Sequence, residues 1–123
     1  MGDVPQLIET PTTVPVEGTE TILEFVGRAS TGDRSVSVAR LSCPGGWSEP
    51  PQRPDFDEYS LVLSGLLVVE HAEGTIEVRA GQAVHTRAGE RIRYLAPSPE
   101  GADYVAVCLP AFSLDAAHRE RAR

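Results

Sequence analysis

From Thr21 onward the chain is built of short runs in which apolar and polar positions alternate: TILEFVG, SVSVARLSC, EYSLVLSG, LLVVEH, TIEVRA, AVHTRA, RIRYLA and YVAVCLP. Successive side chains of a strand point to opposite faces, so runs of this period predict half-buried β-strands. The breaks between them, TGD, PGG, AEG, AGQ, AGE and SPEG, are rich in the residues that turns require. Short strands at near-regular spacing predict an all-β sandwich or barrel rather than βαβ units. SGLLVVEHAEGTIEVRAG is a hairpin signal in its own right. The first 19 residues, rich in Pro, Thr and Glu, contain Val-Pro pairs that force extended backbone, and they predict an arm over 1–19 with scope for edge pairing. Ser113 can cap LDAAHRERAR, with Pro110 just upstream, which predicts a short helix over 113–123.

Composition narrows the partners. A chain of 123 residues suits a single domain, 1–123, with one core. Its 18 acidic against 11 basic residues give a net charge of -7, which repels phosphate backbones and anionic lipid, so neither nucleic acid nor a membrane surface is an expected partner. No apolar run approaches the roughly 20 residues of a membrane span, and MGDVPQLIETP lacks the regions of a signal peptide. The expected location is cytoplasmic. Cys43 and Cys108 lie far apart without metal-ligand spacing and read as buried thiols.

Glu58 is followed by six residues and then Gly65, and Gly89 stands eight residues after Gly81. With Gly45, these positions resemble the two signature motifs of the cupin superfamily over about residues 30–112, nearest in pattern to the ethanolamine-utilisation cupins that lack the metal histidines. The resemblance implies a double-stranded β-helix, the jelly-roll barrel, and a homodimer. It also implies where metal ligands should stand. The histidine pair falls at Pro51 and Arg53, or at Gln52 and Pro54, and the histidine of the second motif at Ile92, with its proline at Arg87. Three of the four usual ligands are thus missing and Glu58 alone remains. One carboxylate does not hold a transition metal, so no metal and no other cofactor is expected.

The same resemblance implies which side chains face the lumen. Glu58 inward brings Ser60 and Val62 inward, and Ile92 inward brings Tyr94. Along AVHTR, Ala83, His85 and Arg87 share one face, and the resemblance turns that face inward. Glu58, a carboxylate on the wall of a small barrel, either has a partner or serves as an acid or base. A structural salt bridge to Arg53, Arg87 or Arg93 would explain it equally. His85, the only histidine inside a core strand, titrates near neutrality and is the candidate partner, or else a satisfied core residue. Gln52 can hydrogen-bond a substrate. Trp47 can lid the pocket or simply pack at the rim. Ser60, Arg87 and Tyr94 complete the expected substrate wall, Tyr59 points outward, and His71 and His118 read as surface residues.

Three functions follow. The first is a metal-independent enzyme using Glu58 and His85 to isomerise, cyclise, dehydrate or epimerise a small organic molecule, an isomerase or lyase. The second is an accessory module holding such a ligand without turning it over. The third is a metalloenzyme with an unusual set such as Gln52, Glu58 and His85.

Overall fold

The computed structural model describes residues 4–120. Nine strands appear in chain order: β1 (Thr12–Val14), β2 (Thr21–Val26), β3 (Ser37–Cys43), β4 (Trp47–Ser48), β5 (Asp57–His71), β6 (Gly74–Arg79), β7 (Ala83–Thr86), β8 (Arg93–Ala96) and β9 (Ala102–Leu109). Every pairing is antiparallel. The expected jelly-roll architecture is what forms, as a sheet curled into a barrel whose inner faces supply the core.

β5 is the spine. Its first half pairs with β7 and β9, and its second half with β6 and β8, so one 15-residue strand belongs to both walls. The crossing is made by a register shift between Val62 and Ser64 and by Gly65 at φ +81°. A Cβ on Gly65 would lie 2.1 Å from the carbonyl oxygen of Gly101, so the two walls can be spliced this closely only through glycine. Inward residues of β5 and β9 then interdigitate with those of β3, β6 and β8: Leu41, Val62, Leu67, Val78, Tyr94 and Tyr104 are all buried. The outer positions Tyr59, Leu61 and Leu63 of β5 stay exposed.

The arm pairs with its own chain, β1 lying on β2 through Thr12 to Val14. At the other end the expected helix is a single turn, α1 (Leu114–Ala117), in which the Ser113 hydroxyl accepts from the Ala116 N–H. It stops where His118 adopts φ 52°, ψ 52°. The chain then runs back over the barrel mouth, with the Asp55 N–H on the Ala116 carbonyl, the Glu120 N–H on the Pro51 carbonyl, and a bridge between Gln52 and Arg119. A turn this short has little helical stability of its own, and tertiary contacts set its end. Residues 121–123 of the expected helix lie outside the described residues. Phe56, Cys108 and Ala117, with Phe112 against Phe56 at 5.8 Å, form a second cluster that fixes this segment. No described helix is long and apolar enough to cross a membrane.

Candidate functional site

The lumen is a cavity of about 40 Å³, space for a few waters at most. Its apolar wall includes Ile22, Leu41 and Ala106, and its polar wall includes Glu24, Glu49, Gln52, Glu58, Tyr94 and Arg119.

Glu58 points inward as expected. Its Oε2 accepts from the Ser60 hydroxyl at 2.9 Å, and the Cys108 thiol lies 3.8 Å from its Oε1. Burial raises its pKa, against the lowering effect of those two hydrogen bonds. Its expected arginine anchors are elsewhere: Arg53 reaches the Gly89 carbonyl and Arg93 pairs with Glu70. Tyr94 also lines the cavity, with its hydroxyl 2.7 Å from that of Thr86. Gln52 is buried on the cavity wall, and its side-chain oxygen accepts from the Arg119 guanidinium at 3.3 Å.

Three expected placements are corrected. His85 faces outward, stacked on Tyr59 at 4.2 Å and 3.1 Å from the Asp57 carboxylate. The reason is register. Residues directly opposite on paired strands share a face, and Glu58 stands opposite Thr86 while Tyr59 stands opposite His85. An inward Glu58 therefore draws Val84 and Thr86 inward and sends His85 out. Arg87 follows on the exposed turn, its N–H donating to the Glu90 carboxylate. Trp47 is buried in the main core opposite Ala96 rather than set over the cavity, and its Nε1 has no partner among the described residues.

Arg119, Glu49, Glu24 and Tyr104, which the sequence did not single out, also line the lumen. Arg119 donates to Glu49 Oε2 at 2.9 Å and lies 3.9 Å from Glu20 Oε2. Burial pushes the Glu49 carboxyl up to about 8, outweighing the lowering effect of Arg119. Glu24 is buried too, but it serves the loop after β2, accepting from the N–H groups of Ala29 and Ser30 and from the Ser30 hydroxyl. Tyr104 and Cys108 share the inner face of β9, and burial drives both pKa values up. Nothing in the spacing pointed to Arg119, which reaches the mouth only because α1 ends after one turn.

Among the described residues, no three His, Cys, Asp or Glu side chains converge as ligands of a metal ion would. Gln52 and Glu58 share the cavity wall while His85 lies outside, so the set Gln52, Glu58 and His85 is not assembled.

No protein-family model matches the chain. The chain is 44% identical over 108 residues to the endoribonuclease YbeY of Myxococcus xanthus, a match covering 87% of this chain and 36% of that protein. It thus spans about a third of the length of its curated relative. Among solved structures, a Streptomyces PAC13 variant with uridine superposes with a TM-score of 0.74 at 17% identity, covering 98% of this chain and 93% of that one. A putative ethanolamine utilization protein of Salmonella typhimurium gives 0.59 at 22%, covering 76% and 71%. The chain has the cupin fold, and the likeness to the ethanolamine-utilisation type holds at the level of fold. The functional expectation does not hold. The relative named an endoribonuclease overturns the reading of a small-molecule isomerase or lyase. The acid and base pair fails on geometry as well, because His85 is outside the lumen.

Proposed function

We propose that the chain works in RNA cleavage, as the cupin-fold segment of an endoribonuclease system whose cleaving groups lie outside it. The observation that carries this reading is the 44% identity over 87% of the chain to a protein named an endoribonuclease. The match leaves nearly two thirds of that protein's length for other work.

Three physical features favour a role beside the cleavage step. The net charge of -7 opposes the approach of an RNA backbone. A cavity of about 40 Å³, lined by Arg119, has no room for a nucleotide. The carboxylates that line it are committed, Glu24 to a loop, Glu49 to Arg119 and Glu58 to Ser60. On this reading the barrel is a rigid body that the nuclease uses for assembly or substrate choice.

The test is RNA cleavage in three mixtures: this chain alone, an endoribonuclease of the Myxococcus xanthus kind alone, and both together. The chain alone is expected to leave structured RNA intact. Site-specific cleavage by the chain alone, abolished by a substitution in its own lumen, would place the cleaving groups here and overturn the proposal.

A further inference from the structure

Outside the lumen, the arm and the C-terminal strap flank a groove of about 1040 Å³. Its charged lining is Glu17, Glu20, Glu49, Asp115 and Glu120 against His118 and Arg119. One of those carboxylates and one of those bases are already matched on other sides, since Glu120 pairs with Arg91 and His118 is held by Asp55 beyond the groove. Arg119 must then serve Glu49 at 2.9 Å and Glu20 at 3.9 Å alone.

With the Glu49 carboxyl holding its proton up to about 8, Glu17, Glu20 and Asp115 against Arg119 still leave the site short of positive charge. Glu20 and Glu49 are each 6% exposed, and Oε1 of each is buried with no hydrogen-bond partner among the described residues. A buried carboxylate oxygen without a donor is costly, and such groups in a folded protein call for a ligand or a role. The position of Glu20 is built into the chain. A Cβ on Gly18 would come within 2.1 Å of Glu20 Oε1, so glycine at this point is what lets the carboxylate sit beneath the arm. The walls beside these acids are apolar and stiff, formed by Pro15, Val16, Pro50 and Leu114.

We propose that this groove binds a basic segment of a partner protein, with one arginine or lysine head completing the Glu20, Arg119 and Glu49 set. The groove is far larger than a single ammonium ion requires and matches the size of pockets that take extended ligands, roughly 300–1,000 Å³. Its prolines and Val16 suit the aliphatic stems of Arg and Lys, whose heads then reach the carboxylates. Glu17 and Asp115 at the groove supply charge for neighbouring basic residues of the same segment. The proposal does not depend on the ribonuclease connection.

The experiment uses the full chain and a fluorescein-labelled arginine-serine peptide, read by fluorescence anisotropy at physiological salt. The peptide is expected to bind, and its counterpart with citrulline for arginine is not. Glu20→Gln is expected to weaken binding about 10- to 100-fold, the loss of one charge-assisted contact, and Glu49→Gln to weaken it less, because the Glu49 carboxyl holds its proton up to about 8. Glu73→Gln, which removes the same charge at the exposed tip between β5 and β6, is expected to change it less than about 2-fold. Amide shifts on the unmodified chain keep the test open if a variant fails to fold, and they are expected at Val16 to Glu20 and Asp115 to Glu120. Equal loss in all three variants, shifts elsewhere, or binding of spermine or RNA in preference to the peptide would each overturn the assignment.

Discussion

The Arg119 guanidinium donates to Oε2 of Glu49 at 2.9 Å, while Oε1 of the same carboxylate is buried without a partner among the described residues. This half-satisfied pair lines the cavity, and its titration should govern how stability responds to pH. The folded chain holds the Glu49 proton up to about 8, against an ordinary value of 4.5. A folded-state value raised above the unfolded one gives stability that is complete below pH 4.5 and lost as pH rises toward 8. The raised pKa of Glu58 acts in the same direction. Urea unfolding between pH 5 and 8 is expected to show stability falling by roughly 1 kcal/mol per pH unit from such a group. Glu49→Gln should flatten that slope, and an unchanged slope would mean that Arg119 keeps the carboxylate ionised throughout.

Gly65 and Gly81 have nearly the same φ, +81° and +84°, but different surroundings. A Cβ at Gly65 meets the Gly101 carbonyl oxygen at 2.1 Å, whereas one at Gly81 meets nothing within 4 Å. Gly81→Ala should therefore cost only the strain of a left-handed residue, about 1–2 kcal/mol. Gly65→Ala must in addition part the two walls of the barrel, and a loss well above 3 kcal/mol is expected by chemical denaturation. Equal losses would show that the splice at β5 yields easily.

His85 offers a contrast on the surface. It pairs with Asp57, whose pKa is lowered chiefly by the Ala88 N–H and then by His85. Both side chains are partly exposed, so His85→Ala should change stability by less than about 1 kcal/mol and leave RNA cleavage by an endoribonuclease mixture unaltered. A large effect on cleavage would return His85 to the functional surface.

These residues also mark how much was legible beforehand. Strand alternation and turn residues were enough for the barrel, and the cupin resemblance, through Glu58 and Ile92, was enough for the inward placement of Ser60 and Tyr94. The face of β7 was not legible, because one residue of register decides it and register is a property of the pair rather than of AVHTR. Arg119 was hidden for a related reason. HRERAR reads as helix by propensity, yet His118 ends the turn and bridge pairing with Gln52 takes the next residue to the mouth. Function was legible least, since a fold of this kind hosts many chemistries and the lumen residues were read as a reaction site when most of them are engaged with one another.

The most direct measurement removes from the Myxococcus xanthus endoribonuclease the 108 residues that match this chain and compares RNA cleavage by the intact and shortened proteins. If the barrel serves that reaction from beside the cleavage site, the shortened protein should keep residual activity but lose about 10-fold or more in rate or in choice of cleavage site, and adding this chain back should restore part of it. Identical rates and identical products from the two proteins would contradict a role in RNA cleavage.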